Sequence, residues 1–347
     1  MTPIKTAILS FGMSGKLFHS PFLTAHPGFQ LMGSWERSKK LIQEIYPDAI
    51  SYSTLEAILN DKDVDLVVVN TPNNTHFEYA KKVLEAGKHA IVEKAFTTNV
   101  AEAIELKAIA EKAGKKISVY QNRRYDSDFK TVKKIIHSGL LGDLVDAEFL
   151  FGRYKPMIGV KMHKETPGPG AGLLNDLGPH LIDEALSLFG MPEYVYADIR
   201  ITRKSSIVDD WFEIILYYST FRVRLKSSML QKENAAGYII NGDKGSFIKN
   251  RADVQEAALL QGKTPNSENW GIEPESENGL LHTEKDGVVI KEKVKTEQGN
   301  YYDYFDQVYK AILNNTEMPV TADDGINVMK ILEAAEKSSS ERKAIKL

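Results

Sequence analysis

The sequence predicts two architectures in one chain. Residues 1–122 read as an α/β doubly wound parallel sheet, and 123–347 as an α+β domain with a large, mostly antiparallel open sheet. Three observations carry this reading. Short apolar strands alternate with helical segments as far as Tyr120. After Arg124 the strands lengthen and follow one another at hairpin spacing. A chain of 347 residues is too long for one ordinary core and comfortable as two.

The first half is built from Thr6-Ala7-Ile8-Leu9, Phe29-Gln30-Leu31-Met32, Asp65-Leu66-Val67-Val68-Val69, Ala90-Ile91-Val92 and Ile117-Ser118-Val119-Tyr120. The Asp65 segment is almost wholly apolar, as expected of a parallel strand covered on both faces. Ser53-Thr54-Leu55-Glu56 and Thr75-His76-Phe77-Glu78 match the capping-box pattern at helix starts. Gly87 and Gly114 stand where helices should end. Beyond Arg124, a helix is expected from Ser127 to Ser138, stopping at Gly139. Val145 to Phe151 opens with period-two alternation. Trp211–Tyr218 and Phe221–Lys226 read as a hairpin turning at Ser219-Thr220, with Val195–Thr202 beside them. The 261–287 segment reads as an excursion with little regular structure. Two helices, about 302–314 and 322–341, close the chain and can pack back on the first domain.

Composition excludes several functions. Net charge is -3, with no basic block, so neither nucleic acid nor an anionic membrane is an expected partner. The alternating Lys291-Glu292-Lys293-Val294-Lys295 run reads as a solvated strand face. The chain has no cysteine, hence no disulfide, thiolate metal site or cysteine nucleophile, and this fits a reducing cytoplasm. No apolar run approaches the ~20 residues that span a bilayer, and no signal peptide is visible. The His and acidic residues offer no close ligand set, so no metal is expected.

Chemistry concentrates in four places. Ser10-Phe11-Gly12-Met13-Ser14-Gly15 follows the first strand and is G-x-G-x-x-G with serine in the first position. Its glycines would let the backbone approach a pyrophosphate at the start of the next helix. Glu36, after the second strand, can accept from adenosine ribose hydroxyls, which leans toward NAD; Arg37, with Ser38 and Lys39, can hold a 2′-phosphate, which keeps NADP open. Asn70-Thr71-Pro72-Asn73-Asn74-Thr75-His76 and Glu93-Lys94 fall at the carboxyl edge of the sheet, where ligands bind. The fourth place is Asn175-Asp176-Leu177-Gly178-Pro179-His180-Leu181-Ile182-Asp183, after a small-residue loop. Asp176 and His180 share a helix face there, and an imidazole beside a carboxylate is a ready proton acceptor. Taken alone, the pair reads equally well as a helix cap and a satisfied histidine.

Together the Asn70-Thr71-Pro72-Asn73-x-x-His76 stretch, Glu93-Lys94 and Gly172-x-x-x-Asp176-x-Gly178-x-His180-x-x-Asp183 resemble the Gfo/Idh/MocA oxidoreductases over essentially the whole chain. Phe18-His19-Ser20-Pro21, Tyr120 through Phe129 and Pro319 through Val328 resemble the scyllo-inositol dehydrogenase branch. The resemblance implies a Rossmann domain, an α+β domain whose sheet forms a homodimer or homotetramer interface, and a catalytic trio of Lys94, Asp176 and His180. Alanine stands at 95 where the family has proline. The implied reaction moves a hydride between NAD or NADP and a secondary alcohol of a sugar or cyclitol. His180 would be the general base, Asp176 its orienting partner or a hydroxyl ligand, and Lys94 the donor to the reacting oxygen. Asn122 joins the cofactor set, and Arg123, Arg153, Tyr154 and His163 are candidates for other hydroxyls. Two other classes stay open: a glycoside-cleaving enzyme with transient redox, and a non-catalytic nucleotide sensor.

Overall fold

The computed structural model describes residues 2–36, 39–265 and 267–347. They form two compact units. The first comprises Met1–Asn122, Gln255–Trp270 and Asn300–Ile326; the second comprises Arg123–Val254, Gly271–Gly299 and Asn327–Leu347. Two excursions from the later half therefore belong to the first unit. Among the described residues, no helix is long and apolar enough to cross a membrane.

In the first unit, strands β1 (Ile4–Ile8), β2 (Phe29–Trp35), β3 (Ile50–Tyr52), β4 (Leu66–Val69), β5 (His89–Glu93) and β6 (Ile117–Tyr120) form a sheet in the order β3-β2-β1-β4-β5-β6. Every pairing in it is parallel. Strand order reverses between β1 and β4, so the carboxyl ends of these two open a crevice at the switch point. β4 is buried throughout, which explains its unbroken apolar sequence; β6 is buried as well, and its Ser118 hydroxyl donates to Val320 O at 2.8 Å. Strand β3 had no sequence signal, being three residues long with one buried side chain.

The helix starts differ from the capping-box reading. Thr54, not Ser53, caps helix Leu55–Asn60 by accepting from the Ala57 N–H at 3.1 Å. Thr75 makes no cap bond; its hydroxyl donates instead to Pro72 O, 2.7 Å away. A reciprocal cap does form where none was expected. Asn99 accepts from Glu102 N–H at 2.9 Å, while the Glu102 carboxylate reaches back to Thr98 N–H at 3.0 Å. That helix, Val100–Ala113, ends at Gly114 with φ 62°. Helix Tyr302–Leu313 closes the unit. Phe305 stacks on Phe22 with ring centroids 5.4 Å apart, and Tyr304 Oη donates to Ser118 Oγ at 2.9 Å.

In the second unit, the described strands are β7 (Leu144–Gly152), β8 (Tyr194–Arg200), β9 (Trp211–Tyr217), β10 (Arg222–Ser228), β11 (Tyr238–Gly242), β12 (Gly245–Lys249), β13 (Gly279–Lys285), β14 (Val288–Val294) and β15 (Ile345–Lys346). Their order is β14-β13-β12-β11-β7-β10-β9-β8-β15, antiparallel except for β7 with β10. The 261–287 excursion was overextended: β13 is a regular strand and pairs with β14. Their turn is Asp286-Gly287, with φ of 53° and 75° at the two residues, the signature of a two-residue hairpin. Helix Gly172–Phe189 lies against β7, β9 and β10 and buries Leu173, Leu174, Leu177, Leu181 and Ile182. It ends at Gly190 with φ 70°.

Candidate active site

The turn after β1 fits a dinucleotide. A Cβ on Gly15 would lie 2.2 Å from the Ser10 carbonyl oxygen, so the chain can close this tightly only with glycine there. Gly12 N–H points toward Ser10 Oγ at 3.4 Å, and the helical turns begin at Met13. Asn70, at the end of β4, clamps the turn. Its Oδ1 accepts from Ser10 N–H at 2.9 Å, and its amide donates to Ser10 O at 2.7 Å. Asn70 thus holds the turn in place, a role the sequence did not reveal.

Beside the turn is a cleft of about 420 Å³ lined by Ser10–Gly12, Trp35, Glu36, Lys39, Thr71, Pro72 and Tyr79, among others. Its size and mixed apolar and polar walls suit the adenosine half of a nicotinamide dinucleotide. Glu36 lines this cleft and also serves the backbone. Its two oxygens accept from the N–H groups of Leu41 and Ile42, at 2.8 and 3.3 Å, and so cap helix Leu41–Ile45. Arg37 lies outside the described residues. Thr71 Oγ1 bonds Thr75 Oγ1 at 2.6 Å, and Asn73 opens a short 3₁₀ turn, Asn73–Thr75.

His76 is placed differently from the cofactor reading. It is fully buried, and its Nδ1 and Nε2 each lie 2.8 Å from a main-chain oxygen, those of Ala95 and Thr71. Both ring nitrogens face backbone carbonyls, and a neutral ring donates to one of them. Burial holds its pKa below the ordinary value, against the pull of those carbonyls and of Glu93.

Glu93 ends β5. Ser14 Oγ donates to its Oε1 at 2.5 Å, and His19 Nε2 meets the same oxygen at 2.9 Å. Burial would raise the carboxyl's pKa, but these bonds and the charge of Lys94 bring it down to about 2, so Glu93 is an anion. Lys94 follows it, and the Lys94–Ala95 peptide bond is cis. Asn122 is buried at the start of the 3₁₀ turn Asn122–Tyr125.

The second unit carries Asp176 and His180 on helix Gly172–Phe189. Asp176 is not the helix cap. Asp209 is, accepting the Leu174 N–H at 2.6 Å, and a Cβ on Gly172 would sit 1.8 Å from its Oδ1. Asp176 therefore lies one turn inside, where a carboxylate shares a face with His180. Its Oδ1 accepts from Lys164 Nζ at 2.5 Å. One turn beyond His180, Asp183 receives a bidentate pair from Arg124, both bonds 2.7 Å, which fixes this part of the helix. Neither Lys164 nor Arg124 had a sequence signal, because each pairing joins segments distant in the chain.

Among the substrate candidates, Arg123 is committed elsewhere: its guanidinium is buried and paired with Asp126 and Asp253. Arg153 lies over the Phe151 ring, 5.0 Å from its centroid. Tyr154 is exposed and bridges to Leu230. His163 sits in the short helix Met162–Glu165, its pKa lowered by partial burial and by Lys164 and Lys161.

A parallel sheet with a glycine-dependent turn and a cleft at its switch point defines a dinucleotide-binding class, and the second unit carries Asp176 and His180 on a helix whose start Asp209 caps. The chain belongs to the Gfo/Idh/MocA oxidoreductase family: residues 4–121 match its NAD-binding Rossmann fold and 133–347 its C-terminal alpha/beta domain. It is 36% identical to scyllo-inositol 2-dehydrogenase (NADP(+)) IolW of Bacillus subtilis, over 99% of this chain and 96% of that one. The solved structure of Bacillus subtilis yvaA matches with a TM-score of 0.96 at 36% identity, covering 100% and 99% of the two chains. A solved Bacteroides fragilis oxidoreductase-type structure matches at 44% identity with a TM-score of 0.91, covering 99% and 100%.

Proposed function

We propose that the protein is an NAD(P)-dependent dehydrogenase that oxidises a secondary alcohol of a sugar or cyclitol reversibly. The observation that carries this is Asp176 and His180 on one face of a buried, capped helix, in a chain whose other unit holds a nucleotide turn and Lys94. When bound, the nicotinamide supplies the hydride acceptor. His180 takes the hydroxyl proton as general base. Asp176, paired with Lys164, orients His180 or an adjacent hydroxyl. Lys94 donates to the reacting oxygen and stabilises the alkoxide as it develops.

For the cofactor, the leaning toward NAD rested on Glu36. Its carboxylate is partly engaged by the helix start, and the cation of Lys39 lines the same cleft, which together favour NADP. The NADP(+)-dependent name of the Bacillus subtilis relative supports that choice. We read the protein as a cytoplasmic homodimer or homotetramer built through its open sheet. The exposed Tyr194 and Tyr196 of β8 and the absence of cysteine support this.

A fluorescence titration with NADH and NADPH, followed by absorbance assays against inositols and aldoses, tests the reading. Tight NADPH binding and a growing reduced-nicotinamide band with one polyol is the expected outcome. Binding without turnover of any polyol, with sugar released from a glycoside, would replace it by transient-redox glycoside cleavage.

A further inference from the structure

Lys94 lies between two neighbours that are each tied down by a buried histidine. On one side is Glu93, whose Oε1 meets His19 Nε2 at 2.9 Å. On the other is Ala95, whose carbonyl meets His76 Nδ1 at 2.8 Å. Both rings are fully buried.

Each ring is there at a cost that only these contacts offset. Among the described residues nothing bonds Nδ1 of His19, so the polar demand of that ring is met by Glu93 alone. Its faces are filled by Tyr120, centroid 4.6 Å away, and Phe305 at 6.2 Å. A leucine would satisfy that packing without an orphaned nitrogen. The His76 ring faces a carbonyl at each nitrogen, and a carbonyl only accepts. A neutral imidazole has one N–H, so it can serve only one of the two at a time. The charged groups that act on it are Glu93 and Lys94.

We infer that His19 and His76 are positioning residues that bracket Lys94, His19 by fixing the Glu93 carboxylate and His76 by holding the Ala95 carbonyl through Nδ1. Neither needs to touch substrate. His19 keeps Glu93 from turning fully onto the Lys94 ammonium, and His76 fixes the main chain from which that side chain projects. The catalytic importance of this bracket rests on the role proposed for Lys94, but its physical effect on Lys94 does not.

The test uses the full chain without cofactor or substrate. The pH dependence of Lys94 acylation by acetic anhydride is read by mass spectrometry of its peptide, with circular dichroism confirming the fold. In His19→Leu, Glu93 loses a donor and leans on Lys94, so the labelling midpoint rises by roughly one pH unit. His19→Gln keeps a donor and restores most of the wild-type midpoint. In His76→Phe, Lys94 is labelled about 3- to 10-fold faster at fixed pH as its main chain loosens; His76→Gln falls between. In turnover assays, kcat falls roughly 10- to 100-fold in His19→Leu while the Kd for NADPH stays within about threefold. Wild-type labelling of Lys94 in both His19→Leu and His76→Phe overturns the inference, as does a loss confined to NADPH affinity. Turnover by Lys94→Met is read separately, so the bracket and the catalytic role of Lys94 fail independently.

Discussion

In the first unit, several polar side chains near the ligand edge bond to main chain, beside the Ser14–Glu93–His19 cluster; in the second, buried side chains pair as ions. Asn70 holds both polar atoms of the Ser10 backbone, Glu36 caps Leu41 and Ile42, and His76 lies between the Thr71 and Ala95 carbonyls. The second unit instead buries ion pairs. Lys249 and Glu273 meet at 2.5 Å with no exposure, Arg251 grips Glu184 with two bonds of 2.8 Å, and Arg203 joins Asp210 to Glu165. The difference follows from what each unit must hold. A nucleotide turn and strand ends are backbone objects, shaped by side chains that donate to and accept from amides. A helix that presents an acid and a base needs its side chains fixed, and paired charges do that with more directionality than apolar packing.

Four outcomes separate the two regions, beginning with the strongest. His180→Ala should lower kcat by ~10² to 10⁴, the usual worth of a general base; a fall of less than tenfold, measured in steady-state assays with the best polyol, would remove His180 from the chemistry. Lys249→Met leaves Glu273 buried without its cation and should cost ~3–5 kcal/mol in urea unfolding, whereas replacing the pair together, Lys249→Met with Glu273→Leu, should cost far less. Asn70→Ala should destabilise by only ~1–3 kcal/mol but weaken NADPH binding out of proportion, because the turn itself loosens. A Kd for NADPH unchanged by calorimetry would show that the turn holds without Asn70. Smallest is Gly287→Ala, expected to cost ~1 kcal/mol at a φ of 75° and to leave activity intact.

The second unit also carries a pH signature. Burial pushes the Asp209 carboxyl up to about 6 from the ordinary 3.8, although the Leu174 and Leu173 amides oppose the shift. A folded-state pKa above the unfolded one means that the native state holds the proton more tightly. Stability from this group is therefore present below about 4 and lost as pH rises toward 6. Asp209→Asn, which retains an acceptor for Leu174 N–H, should flatten that part of the stability-pH curve; an unchanged slope between pH 4 and 6 would mean that Asp209 ionises freely.

Much of this could be read from residue order. Every β4 residue is buried and apolar, Gly114 and Gly190 stop their helices, and β9 and β10 pair as the hairpin spacing requires. The turn after β1 was visible despite Ser10, because Gly15 is sterically required and its place after a first strand is local information. What escaped was either very short or long-range. β3 offers three residues, and capping at Thr54 rather than Ser53 depends on one residue of register. Asp286-Gly287 was a readable hairpin signal hidden inside a segment judged irregular by its prolines and glycines. Lys164 with Asp176 and Arg124 with Asp183 join residues whose proximity only the fold creates. His19 stood in the Phe18-His19-Ser20-Pro21 stretch, but nothing local pointed it at Glu93, because the five-residue π-helical turn Gly15–His19 that places it had no sequence cue.

The most direct test of the account is single-turnover reduction of NADP⁺ by scyllo-inositol or the best polyol found, followed at the reduced-nicotinamide band in wild type, Lys94→Met and His180→Ala. The account predicts a full burst in the wild type and rates at least ~10²-fold lower in both variants, with NADP⁺ still bound. Equal rates in all three, or no reduction by any polyol in the wild type, would contradict it.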